Sequence, residues 1–224
     1  GIQGDEIVET IRRSDKYTEI LFYTAEENYR DVLPTQDGVY RAHRRDVESK
    51  IRKLIDMTLK RVQAPANMRG LVIAETADIE AILEDILVAQ FGDKGDLFRG
   101  RVLQKKGIYD FDKKYQFLMG MLKDKLAECN KALDGGKRNG QAASLRTRLE
   151  PLQQTLKKFE EDVIGTRNLL AHVREQRDAQ GKVTLKSTVI KGSITIDHNW
   201  CVKVRKDLAK HRKALEELKA ESIG

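Results

Sequence analysis

The chain has 224 residues, with 42 Lys and Arg against 35 Asp and Glu, so its formal net charge is +7. With 34% charged, 40% hydrophobic and 6% aromatic residues and three prolines, it is too apolar for a disordered chain and fits long amphipathic helices better than a β-sandwich. No apolar run approaches the ~18 residues of a membrane span, and the N-terminus lacks a signal-peptide core. Cys129 and Cys201 stand apart with no metal or redox spacing, as expected of a reduced cytoplasmic protein.

In chain order, Tyr17, Ile20, Leu21, Tyr29, Val32 and Leu33 predict a helix from residue 14 or 15 to 33, ended by Pro34. Gln36-Asp37-Gly38 predicts a turn. A second helix, running to about residue 62, carries Val47, Ile51, Leu54, Ile55, Thr58 and Val62 on one stripe and basic residues elsewhere. Residues 1–63 are therefore expected to form a helical N-terminal extension, closed by Pro65.

The main helical domain is expected over residues 66–222. Residues 71–91, dominated by Ile79, Ile82, Leu83, Ile86 and Leu87, predict a central bundle helix, and its acids Glu75, Asp78, Glu80, Glu84 and Asp85 read as a solvated edge. A basic, glycine-punctuated loop follows to Gly107. Phe111, Tyr115, Leu118, Leu122, Leu126, Cys129 and Leu133 predict the next helix, and 134–140 a loop. Leu145, Leu149, Leu152, Leu156, Phe159 and Val163 mark another helix that either kinks or begins at Pro151. Residues 174–181 read as a loop, and 183–196 as a short β-hairpin around Lys191-Gly192. Asp197 caps a last helix whose stripe is Cys201, Val204, Leu208, His211, Leu215 and Leu218. The fold class is all-α.

The residues with chemistry in them lie in Gly165-Thr-Arg-Asn-Leu-Leu-Ala-His172. Arg167 falls where Phe159 and Val163 predict another hydrophobe, and a guanidinium there requires a cleft, an anion or a subunit interface. His172 follows five positions later, preceded by the small Ala171. It is the side-chain type suited to proton transfer near neutral pH.

Arg167, Asn168 and, after a four-residue gap, His172 resemble the signature of the HEPN (higher eukaryotes and prokaryotes nucleotide-binding) superfamily, over roughly residues 66–222. The resemblance implies a helical bundle that acts as a metal-independent RNA endonuclease. It also implies a homodimer that builds its site from both subunits, with Arg167, Asn168 and His172 as catalytic residues. Many members are toxins, phage-defence proteins or CRISPR-associated effectors, which leaves room for an antitoxin or regulatory protein as a second partner. On this reading a ribose 2′-OH attacks the adjacent phosphorus, His172 transfers protons, Arg167 neutralises the phosphorane and Asn168 orients the phosphate or His172.

Basic residues around the motif, Arg174, Arg177, Lys203 and Lys206 above all, are the candidate RNA-binding groups. No cofactor is expected, nor any metal: His43, His172, His198 and His211 are isolated from one another and from the cysteines. A second Arg/His spacing, Arg205 and His211, reads as a core histidine with its arginine facing elsewhere. For Arg167 and His172 the alternative is an arginine holding a carboxylate and a histidine closing a helix, where a cation complements the helix dipole. The competing functions are a non-catalytic RNA- or nucleotide-binding module and a helical protein-interaction scaffold.

Overall fold

The computed structural model describes residues 4–14, 18–25, 37–105, 109–134, 139–177, 183–187, 193–194 and 196–221. The chain divides into two compact units, Gly1–Val62 and Gln63–Gly224. Their charges differ sharply. The first carries twelve basic and twelve acidic residues, whereas the second carries 30 against 23 and therefore the whole excess of +7.

The first unit contains α1 (Gly4–Arg13), β1 (Ile20–Thr24), β2 (Val39–His43) and α2 (Val47–Val62), the last preceded by a 3-10 turn at Arg44–Asp46. The extension is thus not purely helical. Residues Ile20 to Thr24 read as part of a helix but form a strand, paired in parallel with β2 in the register Ile20↔Val39 to Thr24↔His43. The sequence Ile-Leu-Phe-Tyr-Thr is branched and aromatic, which suits a pleated strand once a partner exists. The predicted second helix likewise begins only at Val47, because Val39–His43 is β2. Gly38 makes the expected turn with φ +72°, a conformation other residues rarely adopt. Arg12 ties α1 to that turn, donating to the carbonyls of Thr18 (2.9 Å) and Asp37 (3.3 Å). The residues predicted as helix at 26–33 lie outside the described residues.

The second unit is mainly helical, and the chain is all-α in class. Pro65 opens α3 (Pro65–Ala89) rather than closing the preceding segment, because proline suits a first helical turn whose N–H has no partner anyway. Met68, Val72, Ile79, Leu83, Ile86 and Leu87 of α3 are all buried, each contributing about 1.5–3 kcal/mol of transfer free energy relative to exposure. The basic segment after α3 is largely helical rather than a loop: a 3-10 turn, α4 (Gly95–Phe98) and a π-helical turn at Arg99–Leu103. A Cβ at Gly95 would sit 2.8 Å from the Val88 carbonyl oxygen, so only glycine lets α4 fold back this closely. α5 (Phe111–Asp134) buries the predicted Phe111, Tyr115, Leu118, Leu122 and Cys129.

Asn139 caps α6 (Gly140–Leu156) by accepting from the Ala142 N–H, and α6 runs on through Pro151, which sits on its exposed face. A π-helical segment, Glu160–Gly165, then leads into the short α7 (Thr166–Ala171). Val173–Arg177 is a strand, β3, and not the predicted loop. It pairs antiparallel with β4 (Val183–Ser187), which pairs with β5 (Ser193–Ile194), so the predicted hairpin becomes two strands of a three-stranded sheet. The 191–192 turn lies outside the described residues. Asp197 caps α8 (His198–Ala220) as expected, its carboxylate accepting from the Trp200 N–H at 2.8 Å. Cys201, Val204, Leu208, His211, Leu215 and Leu218 all face the core. Among the described residues no helix is long and apolar enough to cross a membrane.

Candidate functional site

The π-helical segment decides where the motif points. In a regular helix the stripe Leu152, Leu156, Phe159, Val163 continues onto residue 167. Closing i→i+5 instead of i→i+4 adds a residue to the turn, which shifts the following stripe by about 100°. Through and beyond it the buried positions are Val163, Ile164 and Leu170, while Arg167 is partly buried at the edge of that face.

There Arg167 Nη1 donates to Asn168 Oδ1 at 3.1 Å. No carboxylate of a described residue pairs with it. Asn168 is exposed. His172 is exposed and is the C-cap of α7, its N–H donating to the Leu169 carbonyl at 3.3 Å. Arg167 and His172 are five positions apart, about 7.5 Å along a helix axis at 1.5 Å per residue. The two are neighbours on one short element, with Asn168 bonded to the arginine rather than set to orient the histidine.

Arg174 is exposed on β3, where the register sets it opposite Lys186, and Arg177 ends the same strand opposite Val183. On α8, Lys203 lies 2.7 Å from Asp207 and 3.7 Å from Asp162. The Asp207 hydrogen bond raises its pKa, so the lysine keeps its charge beside two carboxylates. Lys206 is exposed and forms no ion pair with a described residue.

One cation near the motif had no sequence signal. Arg69, in the first turns of α3, donates from Nη2 to the carbonyl of Ala171 at 3.3 Å, one peptide before His172. The two residues are separated by 102 positions, so only the packing of α3 on α7 brings them together.

Several charges elsewhere in the unit are answered locally. The acids predicted as a solvated edge of α3 are instead counter-ions. Glu75 and Asp78 meet Arg212, while Glu80 and Glu84 hold the buried Lys114. Asp85 binds Arg99 at 2.7 Å and Lys219 at 2.8 Å. Burial alone would lower the pKa of Lys114, but its hydrogen bonds to Glu80 and Glu84 outweigh that and raise it. The hydrogen bonds from Lys219 and then Arg99 hold the Asp85 carboxyl below its usual range.

A groove of about 590 Å³ opens beside the motif, lined by Asp112, Lys157, Glu160, Glu161, Ile164, Gly165 and Asn168. Three carboxylates against one lysine make it hostile to a phosphate chain. Arg69, His172 and Arg174 are not among its lining residues. Among the described residues no group of three or more His, Cys, Asp or Glu is arranged to hold a metal ion. Both cysteines are buried, and burial raises the Cys201 thiol pKa.

No protein-family model, no curated protein and no solved structure matches the chain.

Proposed function

We propose that the Gln63–Gly224 unit is a HEPN-type RNA endonuclease that works without a metal ion. The observation that carries this reading is Arg167: a permanent cation, partly buried, bonded to a neutral carboxamide and to no carboxylate of a described residue, on the same short helix that His172 closes. In a unit where Lys114, Arg99, Lys203, Arg212 and Lys219 all have carboxylate partners, a guanidinium left without one is suited to an anion from outside.

The chemistry runs through the ribose 2′-OH. Its oxygen attacks the adjacent phosphorus, the bond from phosphorus to the 5′-oxygen breaks, and the products carry a 2′,3′-cyclic phosphate and a 5′-hydroxyl. His172 takes the 2′-OH proton, and its copy in a second protomer protonates the leaving oxygen, so a homodimer with a composite site is part of the proposal. Arg167 stabilises the charge that develops on the phosphorane oxygens, and Asn168 holds the guanidinium in place. Arg69 and Arg174 contact the flanking phosphates. The setting that fits such an activity is a cytoplasmic toxin or antiphage-defence effector, restrained by an antitoxin or regulatory protein.

One observation favours a second reading. His172 serves as the C-cap of α7, a position a purely structural residue also fills. On that reading the unit binds RNA or nucleotides, or a protein partner, without cutting anything. An RNA oligonucleotide and its all-deoxy counterpart, incubated with the protein in excess chelator, separate the two. The nuclease cuts only the RNA; uncut RNA that is nevertheless bound supports the second reading, and equal cutting of both strands rejects the 2′-OH mechanism.

A further inference from the structure

We propose that His211 and Asp162 are a positioning pair that holds the π-helical segment ahead of α7 and so sets where Arg167 and His172 lie; this rests on the reading of those two residues as catalytic. His211 lies in the middle of α8 and is fully buried, and its Nε2 is 3.0 Å from Asp162 Oδ2 in the π-helical segment. A carboxylate only accepts, so Nε2 carries the proton and donates it. Its Nδ1 has no hydrogen-bond partner among the described residues. A leucine like its stripe neighbours Leu208 and Leu215 would fill this core position without burying a half-satisfied ring. What the histidine adds is the one bond it makes to Asp162.

That bond falls where the helix departs from regularity. Phe159, fully buried at the start of the segment, meets the His211 ring edge-on at 5.5 Å, stacks on Tyr115 at 5.0 Å and meets Phe111 edge-on at 5.6 Å. The Tyr115 hydroxyl donates to the Leu156 carbonyl at 2.9 Å, at the end of α6. The segment is thus held at one end by Tyr115 and in its middle by His211. Released, it would gain regular i→i+4 bonds, and everything beyond it would turn by about 100° for each residue taken up. Arg167 and His172, which follow the segment, would turn with it, away from the positions they hold here. Because His211 is buried and Asp162 nearly so, neither touches RNA; they act through the backbone of α7.

Three variants test this: His211→Leu, Asp162→Leu and the double substitution. His211→Leu leaves Asp162 Oδ2 without its buried donor and lowers the melting temperature; the double variant removes both partners and regains most of it. Cleavage does not return with stability: in the double variant kcat stays about 100-fold down while KM moves less than threefold, because the reacting groups are displaced. Amides of residues 160–171 exchange at least about tenfold faster than in the parent protein. His211→Gln, which keeps an N–H donor at similar reach, is expected to restore both readouts and covers the case in which His211→Leu does not fold. A stable double variant with parental exchange across 160–171 overturns the pairing, whatever its nuclease activity. Faster exchange in that variant, with a parent protein that cuts no RNA, upholds the pair and rejects the nuclease.

Discussion

The corner where α7 meets β3 and the middle of α8 each carry an arginine followed shortly by a histidine, Arg167 with His172 and Arg205 with His211. Their surroundings differ. At the corner the histidine is exposed and the arginine partly buried without a carboxylate of a described residue. On α8 the arginine is exposed, while the histidine is fully buried and bonded to Asp162, whose other oxygen lies 3.7 Å from Lys203. Similar spacing therefore serves opposite ends. One pair keeps an arginine without a described carboxylate beside an exposed histidine, and the other has its polar group answered within the fold. What decides is the element each pair packs against, together with the π-helical segment that precedes Arg167.

The comparison breaks most visibly at Arg167. Arg167→Ala is expected to lower kcat by about 10²–10³-fold, as for loss of a group that stabilises charge in the transition state. Arg167→Lys recovers only part, since an ammonium cannot form the bidentate fork. A stability loss in Arg167→Ala comparable to that of His211→Leu, measured by thermal melting, would place Arg167 among the internally compensated groups instead.

Salt gives a smaller effect and tests the corner as a whole. If Arg69, Arg174 and Arg167 each neutralise a phosphate, the slope of log affinity against log salt for single-stranded RNA is about −2, so raising salt from about 50 to 200 mM weakens binding roughly 20-fold. Arg69→Ala makes that slope shallower and Lys203→Ala leaves it unchanged, as fluorescence titrations at several salt concentrations would show. Equal effects of the two substitutions would erase the distinction between free and compensated cations.

The smallest effect concerns acid stability on the compensated side. Lys219 and Arg99 depress the folded-state pKa of Asp85 below its ordinary value of 3.8. The stabilisation is therefore present above that value and is lost as pH falls through the lower folded value. Melting curves from pH 5 downward are expected to show a shallower acid decline for Asp85→Asn than for the parent, with little difference in shape above pH 5.

Where structure follows from local repetition, the sequence is readable. The stripe of α5 from Phe111, the Asp197 cap and the buried face of α8 depend on neighbours three and four residues away. β1 was not legible, because Ile20 and Leu21 suit a helix equally well and only pairing with β2 makes them a strand. The π-helical turn was hidden for a related reason: Phe159 and Val163 keep regular spacing, and the contacts around them from Tyr115 and His211 come from two other helices. Of the candidate site, the identities of Arg167, Asn168 and His172 were legible. The bond between the first two, the compensation of Lys203 by Asp207 and the approach of Arg69 to Ala171 were not, since each depends on side-chain geometry or packing that spacing does not encode.

The most direct measurement compares the two histidine regions in one assay. RNA is incubated in excess chelator with the parent protein, with His172→Ala and with Arg205→Ala, and the ends of the products are identified by mass spectrometry. The account predicts 2′,3′-cyclic phosphate ends from the parent and from Arg205→Ala at rates within about twofold, and a loss of about 10²–10⁴-fold in His172→Ala. Undiminished cleavage by His172→Ala, or no cleavage by the parent, would contradict it.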